Sequence, residues 1–262
     1  MLRWASSRDL RTWRELSFSS PGVTTPQLVW FNGRLVTFCA SATRLAVVEL
    51  TVGDNGCTGV GAPLPIEIAG ESADIQVDPD VVALSDERYR VYYTTSRASN
   101  DPAYLATEIH SATWTSGHWV RDAGIRLQGD GIVDPDVIRL NDGTWRMLFT
   151  RGLEKEVGSA RSADALDFKV EPGTRLNGQV TSTIAVADGY LTAYQTFGGR
   201  YNQGLLHLAH SDDGFRFTPD ARFTWEEKNV ATEAPSIARL HNGTHLLAYV
   251  TSASRRPAQG VR

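Results

Sequence analysis

The sequence has few of the residues that define a disulfide framework, a nucleic-acid interface or a membrane span. Its 262 residues include only two cysteines, Cys39 and Cys57, which are too few for a disulfide framework. Lysine is scarce and the formal net charge is −4, so no basic surface for nucleic acid is expected. No apolar run reaches the roughly 18 residues of a membrane helix. We therefore expect neither a nucleic-acid nor a membrane partner.

Further absences bear on location, domain number and cofactors. The N-terminus MLRWASSRDLRTW lacks the apolar segment of a signal peptide, which favours a cytoplasmic location. No linker-like stretch or charge run divides the chain, so one domain over residues 1–262 is expected. We see no Gly-rich phosphate loop or redox motif, and His207 and His210 are predicted to point to opposite faces of one strand. We expect no cofactor and no catalytic metal, and leave open a structural calcium ion in a central channel.

What the sequence does contain is one phrase repeated five times. Each copy has an apolar run, a turn such as Asn-Gly or Asp-Gly, and a second apolar run. The copies begin at Thr25-Pro26, Asp78-Pro79-Asp80, Asp134-Pro135-Asp136, Thr181-Ser182 and Glu233-Ala234-Pro235. If Pro26, Pro79, Pro135, Ser182 and Pro235 are equivalent, the copies are 53, 56, 47 and 53 residues apart.

This period is typical of propeller blades with four strands each. The residues after Pro235 and those up to Pro26 together make one more unit, so one blade is split between the two termini. A β-sandwich with a coincidental period is the alternative, but it gives no reason for that split. The sequence predicts an all-β, five-bladed β-propeller whose last blade is closed by N- and C-terminal strands.

A second motif recurs in the other half of the units, at 7–13, 162–168 and 211–217, and begins with Ser and ends with Trp or Phe. We interpret it as the turn between the third and fourth strands of a blade. Its aromatic residue is expected to pack on the next blade.

The acids at the start of the repeated phrase suggest a site. In a propeller the inner strands all begin at one face, around a central funnel. Asp78, Asp134 and Glu233 are therefore predicted to ring this funnel, with Thr25 and Thr181 in the two remaining places. Crowded carboxylates raise the pKa of at least one member, which acid/base chemistry exploits.

These acids also have structural interpretations, because Asp is common beside Pro in turns. For Asp80 and Asp136, which follow the Pro, we favour a structural role. For Asp78 and Asp134 both interpretations stay open. Glu233 stands two places before its Pro and is not a favoured turn former, so function is favoured there.

Loops on the same face supply candidate substrate-binding residues. Arg97 and Arg151 occupy equivalent places, where a structural salt bridge is the alternative to ligand binding. If they bind ligand, a guanidinium suits a carboxylate or phosphate. Arg200 lies in a further loop of this face, and Phe197 and Tyr201 are candidates for stacking on a sugar ring.

Three sequence features resemble those of the five-bladed glycosidases of family 43 and related clans: VDPDVI followed by a DG turn, the SxDGxxF motif and the EAPS segment. Those enzymes include arabinanases, arabinofuranosidases and β-xylosidases, with sucrose- and fructan-cleaving enzymes as distant relatives. The resemblance implies Glu233 as general acid, Asp78 as general base and Asp134 as the remaining carboxylate. The family's tuning Asp, expected on the blade before Glu233, is replaced by Thr181-Ser182-Thr183, and Asp134 remains an alternative base.

Three functions follow as hypotheses. The first is an enzyme that cleaves a glycosidic bond in a small-molecule or oligosaccharide substrate by carboxylate acid/base catalysis. The second is a repurposed propeller that uses the same carboxylates for a non-hydrolytic step, such as a cyclisation, elimination or isomerisation. The third is a propeller that binds a ligand without catalysis. Loss of turnover in carboxylate variants that still fold would separate the enzymes from the binding protein.

Overall fold

The computed structural model describes residues 1–53, 56–85, 87–96, 106–152, 155–198, 203–227 and 230–253. Within these ranges the chain is all β, with 23 strands in five sheets and no helix. The sheets are the blades of a five-bladed propeller, as the sequence predicts. No described segment forms a helix that is long and apolar enough to cross a membrane.

The strands follow one another blade by blade along the chain. The N-terminus supplies β1 (Leu2–Ser7) and β2 (Arg14–Ser20). Blade 1 contains β3 (Val23–Phe31), β4 (Arg34–Ser41), β5 (Arg44–Gly53), β6 (Gly56–Val60) and β7 (Leu64–Pro65). Blade 2 contains β8 (Ile68–Ala69), β9 (Val77–Ser85), β10 (Arg88–Ser96), β11 (Ala106–Thr115), β12 (His118–Arg121) and β13 (Leu127–Asp130).

The remaining blades have four strands each. Blade 3 contains β14 (Ile132–Arg139), β15 (Trp145–Arg151), β16 (Glu156–Ser162) and β17 (Lys169–Asn177). Blade 4 contains β18 (Gln179–Val186), β19 (Gly189–Gly198), β20 (Gln203–Ser211) and β21 (Thr218–Trp225). Blade 5 contains β22 (Val230–Arg239) and β23 (His245–Ala253), followed in space by β1 and β2.

Blade 5 closes the ring with both termini. β1 pairs antiparallel with β23, and Leu2 lies opposite Val250 while Ser7 lies opposite His245. The inner strands β3, β9, β14, β18 and β22 contact one another in that cyclic order. The predicted split blade is thereby confirmed, and the fully paired β1 leaves β23 no open edge.

The turns between first and second strands fall where Asn-Gly and Asp-Gly pairs occur in the sequence. In blade 1, Asn32 and Gly33 join β3 to β4 with φ values of 49° and 74°. Both residues therefore adopt the left-handed conformation that a tight hairpin requires. Cys39 lies in β4 and Cys57 in the outer strand β6, and both are buried free cysteines.

The hydrophobic core lies between the blades. Leu28 of blade 1 packs with Trp4 and Leu246 of blade 5, and Phe38 of blade 1 packs with Val81 of blade 2. Equivalent clusters lie between blades 2 and 3, blades 3 and 4, and blades 4 and 5. Each strand that contributes to two clusters alternates its side chains between the two neighbouring blades, which is the period of two expected for a strand buried on both faces.

The Ser-x-Asp motifs form the turns between third and fourth strands. In blade 3, Asp164 Oδ1 accepts hydrogen bonds from Ser162 and from the backbone nitrogens of Leu166 and Asp167, the latter two at 2.9 Å. These backbone bonds lower the pKa of Asp164 to about 2. The aromatic residue that ends the motif packs on the preceding blade, not the next one, since Phe168 contacts Tyr92 of blade 2.

Candidate functional site

Each inner strand has a β-bulge near its start. In β9, Val77 lies opposite Thr94 and Asp80 lies opposite Tyr92, so two residues of β9 face one of β10. The first bulge residue of every blade is left-handed, with φ between 45° and 54°, at Thr25, Asp78, Asp134, Val180 and Ala234. Such a conformation is costly for residues other than glycine, and bulges re-aim the side chains that they carry.

This repeat corrects the register inferred from the sequence. In blade 4 the left-handed residue is Val180, so Thr181 takes the place of the Pro, and the predicted equivalence of Ser182 with Pro79 is wrong by one residue. Blade 4 has no Pro to mark its bulge, which explains the error. Glu233 likewise lies one residue before the position that Asp78 and Asp134 occupy.

Four of the predicted residues converge. Thr25, Asp78, Asp134 and Thr181 line one cavity of about 20 Å³ at the start of the inner strands. This volume holds about one water molecule. Blade 5 contributes Pro235 to the cavity wall. Glu233 is absent from that wall.

Asp78 and Asp134 form a carboxyl pair across blades 2 and 3. Both are half-buried and line the same small cavity, where each side chain shifts the pKa of the other. Burial raises the pKa of Asp78 to about 6. Burial, together with the neighbouring Asp78 carboxylate, raises the pKa of Asp134 well above its usual range. When the pair holds one proton, Asp134 is therefore the member that carries it and can donate it to Asp78.

A second ring of polar side chains lies one step further along the inner strands. We name it the belt; its members are Gln27, Asp80, Asp136, Ser182 and Ser236. Four of them accept a hydrogen bond from a backbone nitrogen of the following blade. The donors are Val137 at 2.8 Å, Thr183 at 3.1 Å, Ile237 at 3.1 Å and Leu28 at 2.7 Å.

The fifth belt member completes the ring through its side chain. Gln27 Nε2 donates to Asp80 Oδ1 at 2.5 Å. Burial raises the pKa of Asp80 to about 8, and the charge of Asp136 contributes to that shift. Burial also raises the pKa of Asp136. The belt contacts give Asp80 and Asp136 the structural role favoured for them from the sequence.

Glu233 lies on the side of β22 that faces blade 4. It is half-buried, opposes Val250 in the ladder, and its Cγ would lie 3.3 Å from a Cβ added at Gly204. The next residue, Ala234, donates its backbone N–H to Gln195 Oε1 at 2.5 Å. Gln195 thus anchors the bulge that follows Glu233.

Of the predicted substrate-binding residues, Thr25 and Thr181 line the cavity, and the loop candidates Arg151 and Phe197 are also described. Arg151 lies 4.0 Å from Glu156 and its guanidinium covers the Phe149 ring, so it takes part in a salt bridge on its own blade. Phe197 is 47% exposed, with the Lys155 ammonium 5.7 Å from its ring centre. Arg97, Arg200 and Tyr201 lie outside the described residues, and their roles stay predictions.

The site contains functional candidates that the sequence analysis missed, notably Gln27 and Gln195. A signal for Gln27 was present, because it follows Pro26 as Asp80 follows Pro79. Nothing in the sequence marks Gln195, since its partner is on another blade. Over the described ranges, no group of three His, Cys, Asp or Glu side chains is arranged to hold a metal ion. The expectation of no cofactor stays a prediction.

The described fold is similar to solved structures of five-bladed glycosidases. The β-xylosidase RS223 superposes with a TM-score of 0.62 at 15% sequence identity, over 87% of this chain and 91% of that chain. An endo-arabinase from Bacteroides thetaiotaomicron VPI-5482 superposes with a TM-score of 0.60 at 14% identity, over 92% of this chain and 99% of that chain.

A glycosidase of another family has the same fold. The GH32 β-fructofuranosidase BmSUC1 from Bombyx mori superposes with a TM-score of 0.61 at 12% identity, over 90% of this chain and 56% of that chain. No protein-family model and no curated protein sequence matches the chain. The protein thus has the fold of the five-bladed propeller glycosidases, and at these identities the similarity establishes the fold alone.

Proposed function

We propose that the protein is an enzyme that cleaves a glycosidic bond by carboxylate acid/base catalysis in the central funnel. The observation that carries the proposal is the Asp78–Asp134 carboxyl pair at the funnel centre, with Glu233 one strand position from the equivalent place on blade 5. The glycosidase fold of RS223 and of the Bacteroides arabinase supports it. The substrate would be a small glycoside or an oligosaccharide.

The separation between carboxyl groups decides which two of them can act as general acid and general base. An inverting glycosidase needs its two carboxyl groups roughly 6.5 to 9.5 Å apart so that water fits beside the sugar. Asp78 and Asp134 are neighbours in the wall of one cavity of about 20 Å³, which is too close for that purpose. Glu233 lies on a blade that is not adjacent to blade 2, so it is the carboxyl left to form a separated pair with Asp78.

We assign Asp78 as the base and Glu233 as the acid. A base must be ionised while its partner acid is protonated. Phe197 extends from the same end of blade 4, and its exposed ring offers a face on which a sugar ring could stack. No step of this chemistry calls for a metal or an organic cofactor.

A second function is favoured by one observation. Blade 4, which precedes the blade of Glu233, carries Val180 at the position where blades 2 and 3 carry Asp. The tuning Asp of the resembling glycosidases is therefore missing beside Glu233. The remaining carboxyls suit proton transfer in a non-hydrolytic step, such as a cyclisation, elimination or isomerisation. The two functions differ in whether an oxygen atom of water enters the product.

Turnover of aryl arabinofuranosides, xylosides, galactosides and fructosides tests the proposal. We expect Glu233→Gln and Asp78→Asn to abolish turnover while circular dichroism and the unfolding midpoint stay close to those of the native chain. Glu67→Gln and Asp74→Asn, at exposed positions outside the funnel, are the matched controls and should stay active. Reaction in ¹⁸O-water distinguishes hydrolysis from the second function. Silence of the native chain on the whole panel would count against a glycosidase.

A further inference from the structure

We infer that Asp134 is a positioning residue for Asp78: from the neighbouring blade it donates the hydrogen bond that keeps the Asp78 carboxylate ionised and oriented. This inference rests on the proposed function, in which Asp78 is the base, and adds a role for the third carboxyl. The resemblance to known glycosidases places a tuning carboxyl beside the acid. In this chain the spare carboxyl lies beside the base.

The geometry of the bulges places the two side chains against each other. Asp78 and Asp134 are the left-handed residues of adjacent blades, with φ of 52° and 54°, and both line the same small cavity. The start of β14 is held in place below them, because Asp136 accepts bonds from both the backbone and the hydroxyl of Thr183. The pair is therefore fixed by the inner strands and not by a loop.

Asp134 is the titratable neighbour that lowers the pKa of Asp78; the Thr94 hydroxyl and the Asp134 backbone N–H lower it as well. The charged or titratable side chains that line the cavity, among the described residues, are Asp78, Asp80 and Asp134, and all three are carboxyls. The other described residues that line the cavity are uncharged. Without a cation in that wall, a buried carboxylate keeps its charge through hydrogen bonds.

A protonated Asp134 satisfies this need. The pair then carries a single negative charge, because two carboxylates in contact cannot both ionise near neutral pH. Burial raises the pKa of Asp78, and the bond from Asp134 opposes that rise. Loss of the donor should therefore make Asp78 harder to ionise.

Two substitutions at Asp134 separate a hydrogen-bond donor from a titrating group. Asp134→Asn keeps an N–H donor toward Asp78, whereas Asp134→Leu removes it at similar size. We expect the acid limb of the kcat/KM profile to stay in place in Asp134→Asn. In Asp134→Leu it should move up by about one to two pH units, the range of a hydrogen bond to a charged group. Asp134→Ala is the second donor-free variant if the leucine fails to fold.

Carbon-13 NMR of the aspartate carboxyl carbons tests the pair without any substrate. In the native chain we expect two coupled titration steps that Asp78→Asn and Asp134→Asn each reduce to one. The Asp78 signal should titrate higher in the donor-free variants than in Asp134→Asn. Equal titration of Asp78 in all variants would overturn the inference. If the native chain cleaves no glycoside but shows these shifts, the proposed function fails while the carboxyl pair stands.

Discussion

Asp80 Oδ2 on blade 2 accepts a hydrogen bond from the backbone nitrogen of Val137 on blade 3, at a distance of 2.8 Å. The same contact recurs from blade 3 to blade 4, from blade 4 to blade 5, and from blade 5 to blade 1. One side-chain position thus fixes each inner strand against the next. This register sets where the Asp78–Asp134 pair lies above it.

The belt contact predicts a specific stability loss. Asp80→Ala leaves the buried N–H of Val137 without an acceptor, so the free energy of unfolding should fall by about 1–3 kcal/mol. Asp80→Asn retains an oxygen acceptor and should lose less. Urea unfolding of both variants, with the exposed Asp74→Ala as control, measures the difference. Equal losses in alanine and asparagine variants would rule out the acceptor role.

The belt also predicts how stability depends on pH. The pKa of Asp80 is 3.8 in its ordinary state and about 8 in the folded protein, so the folded chain binds the proton more tightly. The resulting contribution is fully present below about pH 4 and is lost as the pH rises through about 8.

Thermal unfolding should therefore show a midpoint that falls as the pH rises across this window. Each such group contributes a slope of at most about 1.4 kcal/mol per pH unit. Asp80→Asn does not titrate and should flatten the dependence, so any stability that it loses relative to the native chain should be smallest at the alkaline end. A midpoint that rises with pH in both proteins would contradict the assignment.

The sequence predicts the fold because the repeat is local and periodic. Turn pairs such as Asn32-Gly33, and the Asp-Pro-Asp segment at Pro79, recur in the blades. Each hairpin forms between strands that are neighbours in the chain. The split blade also follows from spacing. Spacing alone does not fix the strand register to one residue where the Pro of the bulge is missing, as after Val180.

The site is less predictable because its contacts join different blades. That Asp78 and Asp134 share one cavity follows from their equivalent places in the repeat. The mutual effect of their carboxyls and the anchoring of Ala234 by Gln195 depend on side-chain distances between strands about 40 to 60 residues apart. No local pattern encodes such distances.

Phe197 offers a prediction about substrate binding. Its ring is 47% exposed, so Phe197→Ala should change the unfolding free energy little. If the ring stacks on a sugar, its loss should raise KM several-fold and change kcat less. Stacking of this kind contributes roughly 1 kcal/mol to the free energy of binding. Val170→Ala removes a similarly exposed apolar side chain from the outer strand β17 and serves as control. An unchanged KM in Phe197→Ala would remove Phe197 from the site.

Gly204 predicts a steric effect next to Glu233. A Cβ at this position would overlap the backbone oxygen of Thr232, and it would lie 3.3 Å from Glu233 Cγ. Gly204→Ala should therefore push β20 and β22 apart and cost about 1–3 kcal/mol of stability. The matched control is Gly59→Ala, whose Cβ would have only ordinary contacts, at 3.7 Å from Thr51 Oγ1. Equal stability of the two variants would show that β22 accommodates the methyl group.

Substitution of Gln195 should affect catalysis through the backbone of the bulge at Ala234. Its Oε1 accepts the N–H of Ala234, the left-handed residue directly after Glu233. Gln195→Met removes the acceptor at similar volume, so the bulge should loosen and the unfolding free energy should fall by about 1–3 kcal/mol. Because the loosened peptide carries Glu233, kcat should fall more than tenfold with a smaller change in KM.

Two further variants separate this positioning role from general destabilisation. Gln195→Glu keeps an oxygen acceptor for Ala234 and should restore much of the lost kcat. Tyr92→Phe removes a buried hydrogen bond to Ala165, 2.7 Å long and outside the funnel, and should lower stability alone. If Tyr92→Phe and Gln195→Met reduce kcat equally at matched stability loss, then Gln195 acts on the fold as a whole and not on Glu233.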